Sequence, residues 1–284
     1  MSIENPGPES VTFSFDQTLY TSSKYHPTLY PFNASFYLLD SQMPFASIQT
    51  PQIQATNGTK STVPPQQVNI THMDEFTKYV LLALASEEFT VALRGEGDLK
   101  QGSLPKTSVD YDKNITMKGL SFVSSWLREY EILPFTGFNR LSAFALQSFH
   151  VINGTEPDGT NAIGTASIPN PTVMTIDLGN VTLAMSVNGT PIGTATLPNL
   201  TLKPGDNLVD MRAEVYQLVV VGIVLESYHD GILPVDVAGN TSTYDGMQLP
   251  YYNAMLAATK LRLDLNVFDA LKGSNLTERA VEML

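Results

Sequence analysis

Apolar and polar residues alternate most regularly in the stretch from residue 168 to residue 215. From Val181 to Val187 every second side chain is apolar, which predicts a strand with one buried face. Asn188-Gly189 follows directly and favours a type I′ hairpin turn, because both central positions of that turn need a positive φ. Lys203-Pro204-Gly205-Asp206 predicts a second turn, after which residues 209–215 alternate again. The stretch therefore predicts a meander of antiparallel strands.

The first half of the chain shows the same period of two, interrupted once. Strands are predicted over Val11–Tyr20, Phe32–Leu38, Phe45–Ile53, Phe89–Leu93 and Val109–Leu120, with a loose lead-in over residues 1–10 and exposed turns at Asn57-Gly58 and Pro64-Pro65. Between Met73 and Ala85 the apolar spacing changes to three and four, which predicts an amphipathic helix with Thr71 as its N-cap. We therefore expect a β-rich domain that carries one helix.

The two halves of the chain align with each other. Phe32–Leu38 aligns with Gly179–Met185, and Asn33 then coincides with Asn180, 147 positions later. Further matches follow in the same order along both halves, which is typical of an internal repeat. In the second copy Tyr216–Tyr228 takes the position of the helix, although its run of three valines also suits a strand.

This repeat defines the expected fold class and domains. The chain is predicted to be mainly β, with two tandem antiparallel β-sandwiches that carry about one short helix each. The first sandwich is expected over residues 11–121 and the second over 139–268. Residues 122–138, which include Trp126, form the expected connection, and 269–284 form a tail or the start of a further domain.

Composition narrows the classes of partner. The formal net charge of −12 argues against nucleic acid and against anionic lipid surfaces, because both bind clustered Lys and Arg. The chain has no cysteine, which excludes disulfides and thiolate metal sites.

Glycosylation acceptors are unusually frequent. The motif Asn-X-Ser/Thr occurs ten times, whereas the Asn, Ser and Thr content predicts about three by chance. The acceptors are Asn33, Asn57, Asn69, Asn114, Asn153, Asn180, Asn188, Asn199, Asn240 and Asn275. The excess favours a glycoprotein of the secretory pathway, with Asn180, Asn188 and Asn199 on an exposed surface. The alternative is that Thr in strands and Asn in turns create such motifs by accident.

Targeting segments are not evident in these residues. The N-terminus lacks the basic and apolar regions of a signal peptide, and no apolar run approaches the length of a membrane-spanning helix. We therefore expect this chain to be a piece of a longer protein, with membrane association only through a segment not present here.

No motif predicts a catalytic, cofactor or metal site. His26, His72, His150 and His229 are scattered, and Asp110-Tyr-Asp-Lys-Asn114 resembles an EF-hand opening but has Ile115 where that loop needs glycine. Gly95-Glu-Gly97 lacks the third glycine of a dinucleotide fingerprint, and no Gly-X-Ser-X-Gly elbow occurs. Carboxylate pairs at Glu87-Glu88 and Glu129/Glu131 are best explained as solvated surface.

Several motifs in the second half carry a family resemblance. They are Asn170-Pro171, Gly179-Asn-Val-Thr182, Gly189-Thr-Pro-Ile-Gly193, Leu197-Pro198 and Leu202-Lys-Pro-Gly-Asp-Asn207. Together they resemble the water-stress (WHy) type late-embryogenesis-abundant (LEA) β-sandwich, and more closely the lumenal domains of a family of fungal vacuolar-membrane proteins. The resemblance implies immunoglobulin-like, LEA-like sandwiches and a location at the lumenal side of the fungal vacuole membrane, another secretory lumen or the cell surface. It supplies no catalytic residues.

Three functions are open from the sequence. The first is a non-enzymatic lumenal module that acts as a scaffold or interaction surface, with an unknown protein or further domains of its parent chain as partners. The alternative is a β-sandwich module that binds a lipid or another apolar ligand between its sheets, suggested by aromatic strand residues such as Phe32, Phe36, Tyr37 and Phe45. A carbohydrate-active enzyme comes third.

Overall fold

The computed structural model describes residues 1–20, 22, 24–120, 145–258 and 260–272, and this part of the chain is mainly β. It divides into two compact units. Unit 1 comprises Met1–Leu120 with Pro171–Asp177, and unit 2 is described over 145–170, 178–258 and 260–272. The expected connection at 122–138 with Trp126, and most of the expected tail at 269–284, lie outside the described residues.

Unit 1 is built from short and long strands around one helix. Its elements are β1 (Ser2–Glu4), β2 (Ser10–Leu19), β3 (Thr28–Leu29), β4 (Asn33–Leu38), β5 (Ala46–Gln49), β6 (Ile53–Gln54), β7 (Thr59–Asn69), α1 (Met73–Ala85), β8 (Glu88–Lys100) and β9 (Thr107–Lys118). β2 pairs antiparallel with β1 and β7. A second antiparallel sheet has β4 between β5 and β8, β9 on the other side of β8, and β3 between β6 and the end of β8.

Helix α1 confirms the helix predicted from the change in the spacing of apolar residues. It spans the predicted Met73–Ala85 and buries Phe76, Tyr79 and Val80 against the sheets. The ring of Tyr79 stacks on Phe45 with 4.8 Å between centroids, so that helix and sheets share one aromatic core. The prediction of Thr71 as N-cap is wrong. His72 occupies that position, and the Thr71 hydroxyl donates to the carbonyl of Pro44 instead.

Two other predictions in unit 1 need correction. The lead-in expected over residues 1–10 contains β1, whose Ile3 is buried between β2 and a parallel partner at Thr175 and Ile176. Pro64-Pro65 does not form a turn but lies inside β7, where both residues are exposed. An edge strand tolerates proline because its outward backbone groups need no partner in the sheet.

Over its described residues, unit 2 consists of one antiparallel sheet and three helices. Its elements are β10 (Ala145–Val151), β11 (Ala162–Asn170), β12 (Thr175–Val187), β13 (Thr190–Leu202), β14 (Gly205–Val215), α2 (Gln217–Ser227), β15 (Ile232–Tyr244), β16 (Met247–Gln248), α3 (Pro250–Ala257), β17 (Lys260–Asn266) and α4 (Val267–Leu271). The strand order is β10-β11-β14-β13-β12-β15-β17, and β16 pairs with the end of β15. The first three residues of β12 are counted with unit 1.

The turn predictions in unit 2 are confirmed. Asn188 and Gly189 join β12 to β13 with φ values of 49° and 81°, as a type I′ turn requires. Gly205 has a φ of 94° where β13 turns into β14. Both turns allow the apolar side of each strand to face the same core.

Unit 2 has more helix than expected. Gln217–Ser227 is a helix, which decides the alternative that the valine run left open. Two further helices, α3 and α4, exceed the expected single helix. α3 begins with Pro250 and buries Tyr251, Tyr252, Met255 and Leu256, a helical spacing that was present in the sequence.

Candidate functional site

The acceptor asparagines of unit 1 all lie at the surface. Asn33 is on β4, Asn57 is in the turn before β7, Asn69 ends β7 and Asn114 is near the middle of β9. All four residues are exposed. Each amide can therefore carry a bulky glycan without displacing core side chains.

The acceptors of unit 2 are more varied. Asn153, Asn188, Asn199 and Asn240 are exposed, whereas Asn180 in β12 is partly buried. The exposure of Asn188 and Asn199 agrees with expectation, and that of Asn180 agrees only in part. Asn275 lies outside the described residues.

Local hydrogen bonds distinguish three of these acceptors. The Asn180 Oδ1 accepts from the backbone N–H of Asn199 at 2.9 Å, so the side chain helps to hold β13, where Asn199 has a φ of 49°. The Asn188 Nδ2, the atom to which an N-linked glycan is attached, donates to the Tyr228 hydroxyl at 2.8 Å. Because a glycosylated amide keeps one N–H, a glycan at Asn188 is compatible with this bond.

The outer face of the second sheet in unit 1 carries two acceptors together. Ser35 of β4, Arg94 of β8 and Asp112 of β9 lie opposite one another in the register. Asn33 and Asn114 are each two positions from this row, and side chains two apart in a strand share a face. Both acceptors therefore lie on the same side of the sheet.

The glycine pair at Gly95 and Gly97 has a packing role. A Cβ atom on either residue would come within 3 Å of the Phe32 ring. Phe32 in turn lies 5.4 Å from the ring of Tyr111, measured between centroids. The two glycines thus leave space beside β8 for the Phe32 ring. They lie within a strand, whereas the glycines of a dinucleotide-binding motif lie where a strand meets the start of a helix.

The residues with possible metal chemistry are not assembled. Asp110, Asp112 and Asn114 alternate along β9, and Asp112 pairs with Arg94 at 3.5 Å. His72 Nδ1 lies 2.7 Å from the carbonyl oxygen of Pro44. Within the described residues no three His, Cys, Asp or Glu side chains form a group that could hold a metal ion.

One carboxylate is buried at the start of α1. The Glu75 Oε1 accepts from Lys78 Nζ at 2.7 Å, and the Glu75 side chain is 4% exposed. This hydrogen bond lowers the pKa of Glu75 from its usual 4.5 against the opposing effect of burial, and it raises the pKa of Lys78. The pair stabilises the first turn of the helix, where a negative charge also favours the helix dipole.

A second ionic cluster fixes the loop between β10 and β11. Arg212 on β14 bonds to Glu156 and lies 3.1 Å from Asp158. The backbone N–H of Thr160 lowers the pKa of Asp158, with Arg212 contributing, while the bond to Glu156 raises the pKa of Arg212. All three side chains are exposed enough for salt to screen them, so the cluster shapes the loop more than it stabilises the fold.

The sequence of this chain matches one described protein family. The match, to the family described as protein of unknown function (DUF3712), covers residues 43–185, just over half of the chain. This chain belongs to the DUF3712 family. No curated protein matches the sequence. The DUF3712 match begins ahead of β5 in unit 1 and ends in β12, so it includes residues of both units.

A small apolar cavity lies in the interior of unit 2 in this DUF3712 member. It measures about 30 Å³ and is lined only by apolar side chains from β10, β12, β13, β14, β15 and β17, among them Phe149, Met185 and Leu263. Ligand pockets are typically 300 Å³ or more. The cavity has room for a few atoms and not for a lipid chain.

The sequence did not reveal the polar contact that links the residue before β11 to the end of β14. Asn161 Nδ2 donates to the Val215 carbonyl and the Asn161 Oδ1 accepts from the Val215 N–H, both at 2.8 Å. The side chain thus replaces a strand neighbour just before α2. A single asparagine in a turn-rich loop carries no signal of its partner 54 residues away.

No helix among the described residues has the length and apolar character needed to cross a lipid bilayer. α2 is almost wholly apolar but has 11 residues, and its Leu218 is 90% exposed.

Proposed function

We propose that this chain is a glycosylated, non-enzymatic module on the extracytoplasmic side of a membrane, with a scaffold or interaction role. The observation that carries the proposal is the set of acceptor asparagines. There are ten acceptors where about three are expected by chance, and eight of the nine described ones are exposed. Accidental motifs in a β-rich chain would include some in which a strand buries the asparagine, and none of the nine is fully buried.

The proposed location is the lumenal side of a fungal vacuolar or other endomembrane, or the cell surface. It rests on the resemblance of the motifs between Asn170 and Asn207 to the lumenal domains of fungal vacuolar-membrane proteins and to the WHy-type LEA sandwich. Attachment to the membrane is assigned to a segment outside these 284 residues. The partners we propose are another protein or further domains of the same parent chain.

The tandem repeat is part of this proposal. In unit 1 the order β7, α1, β8, β9 repeats the order β14, α2, β15, β17 of unit 2, apart from the insertion of β16 and α3. β4 pairs with β8, and β12 correspondingly pairs with β15. These similarities support two copies of one domain, which is how lumenal arrays of the resembling family are built.

Neither alternative function is favoured by an observation. A lipid-binding module needs a pocket about ten times larger than the 30 Å³ cavity of unit 2. A glycosidase needs two carboxyl groups about 5–10 Å apart in a cleft. Glu87 and Glu88 are exposed where α1 meets β8, and Glu129 and Glu131 lie outside the described residues.

The test of the proposal is secretion of the chain from a fungal host behind an added signal peptide. Treatment with an endoglycosidase should increase the electrophoretic mobility, and peptide mass spectrometry should assign glycans to individual asparagines. Substitution of the Ser or Thr at the third position of each motif by Ala serves as the control, since it removes the acceptor and leaves the asparagine. A chain that shows no shift would refute the glycosylated, lumenal assignment.

A further inference from the structure

The edge strands described in unit 1 differ in how they are protected against pairing with another chain. β5 and β6 have four and two residues and are too short to act as templates. β7 has 11 residues, but Pro64 and Pro65 lie in its middle and lack backbone N–H groups. β9 has 12 residues, no proline and an unbroken register with β8.

The outer edge of β9 is therefore a long and regular set of backbone groups. Among the described strands only β8 pairs with β9. In an antiparallel ladder alternate residues direct both N–H and C=O away from the partner, so roughly six residues of β9 present both groups outward. An edge of this kind is a template for a strand of another molecule.

The charges and the length of β9 together favour one pairing between two copies. An antiparallel pair of identical strands has its two-fold axis at one residue, and a centre anywhere within Asp110–Lys113 puts like charges opposite each other. A centre at Asn114 instead puts Asp110 of one copy opposite Lys118 of the other. No like charges then face each other across the strands. A centre at Ile115 also avoids like charges, but it pairs only residues 112–118 of β9 with each other, whereas the centre at Asn114 pairs residues 110–118 and is therefore the favoured pairing.

This centre is also a glycosylation acceptor. Asn114 is exposed, and in the favoured pairing it would lie opposite its own copy, with Cβ atoms about 5 Å apart. Two glycans do not fit at that separation. We propose that a glycan on Asn114 blocks the edge of β9 that has no partner among the described strands, and so prevents a second copy of the chain from pairing there. This inference rests on the glycosylation in the proposed function.

The experiment compares oligomeric states of the full chain secreted from a fungal host. Asn114→Gln and Thr116→Ala each remove the acceptor at the centre of β9. Asn33→Gln is the matched control, because Asn33 is on the same face of the sheet but on β4, which is paired on both sides. Light scattering should give a doubled protein mass for the two β9 variants, and the monomer mass for the parent and Asn33→Gln.

A cysteine variant tests the geometry of the pairing. The chain has no cysteine, so Asn114→Cys introduces a single thiol at the proposed two-fold axis and also removes the acceptor. Diamide should oxidise the two facing thiols to one disulfide, with two electrons and two protons passing to the reagent. The product is a covalent dimer on a non-reducing gel. Asn33→Cys should stay monomeric under the same treatment.

Glycopeptide mass spectrometry of the parent separates this inference from the proposed function. If other acceptors carry glycans and Asn114 does not, the proposed role of the Asn114 glycan is refuted while the proposed function stands. If no acceptor carries a glycan, both fail. If Asn114 is occupied but Asn114→Gln and Thr116→Ala remain folded monomers, the edge does not pair and the inference is overturned. Dimers of the two variants without disulfide formation in Asn114→Cys would refute the pairing centred on Asn114.

Discussion

Replacement of Tyr79 by phenylalanine is expected to stabilise unit 1. Tyr79 is 1% exposed on α1, and its ring stacks on Phe45 at 4.8 Å. Among the described residues its hydroxyl has no hydrogen-bond partner. Burial raises the pKa of Tyr79 well above its usual 10.0, so the group is neutral at physiological pH. The hydroxyl is therefore buried without a hydrogen-bond partner among the described residues.

The size of the gain follows from this desolvation. A buried polar group without a partner costs about 1–3 kcal/mol in proteins. Tyr79→Phe removes that cost and keeps the ring stack, so we expect a gain of about 1–2 kcal/mol in the free energy of unfolding. Tyr79→Ala is the control. It also removes the hydroxyl but leaves a cavity, and should cost about 3–5 kcal/mol.

Hydrogen exchange of the full chain, read by mass spectrometry on peptides from α1, measures this difference for unit 1 alone. The slowest amides of a buried helix exchange through unfolding of the surrounding unit. A gain of 1–2 kcal/mol should slow their exchange roughly 5- to 30-fold. Faster exchange in Tyr79→Phe than in the parent would refute the reasoning, because it would mean that the hydroxyl makes a stabilising bond.

Two further predictions concern polar contacts. Asn161→Ala should lower the free energy of unfolding by about 2–3 kcal/mol, because it removes the side-chain partner of both backbone groups of Val215. Urea denaturation of the full chain measures this change, and a cost below about 0.5 kcal/mol would contradict the prediction. The pKa of Glu75 is lower in the folded state than its usual value of 4.5. The Glu75 carboxylate therefore stabilises the fold fully at a pH above 4.5, and this stabilisation is lost as the pH falls through the lowered pKa. Glu75→Gln should therefore be less stable than the parent at pH 7 and converge with it in acid, as measured by thermal unfolding across pH; a constant difference would rule out the titration of Glu75 as the cause.

Local patterns in the sequence predicted the elements with strong periodicity. The span of α1 was predicted in full because its apolar residues repeat at three and four over more than three turns. The hairpin at Asn188-Gly189 was predicted because only a few dipeptides tolerate two consecutive positive φ values. In both cases the physical cause acts between neighbouring residues, so the sequence shows it directly.

The elements that were missed depend on distant partners. β1 has three residues, too few for a period, and is a strand because Ile3 fits between β2 and residues 175–176. Thr71 is a residue type that often forms an N-cap. Its hydroxyl instead donates to the carbonyl of Pro44, which lies 27 residues earlier in the sequence. α3 was not predicted, although its buried residues Tyr251 and Met255 are four positions apart, as on one face of a helix. The helix has only eight residues and begins with a proline, and so short an apolar pattern is also compatible with a turn.

The sequence predicted which asparagines can accept a glycan, but not how exposed each of them is. The acceptor motifs are fixed by three consecutive residues, so all ten can be found without a structure. Their exposure is a property of the fold, and Asn180 shows the difference, since its side chain is partly buried and holds the Asn199 N–H. The tandem repeat, the domain limits and the vacuolar location stay predictions.

The central claim is that this β-rich chain of the DUF3712 family is a glycosylated extracytoplasmic module. Glycan occupancy at each asparagine of the chain secreted from a fungal host tests it most directly. We predict occupied sites at exposed acceptors in both units, with Asn114 among them, and a clear increase in mobility after endoglycosidase treatment. A secreted, folded chain with no glycan at any acceptor would contradict the claim.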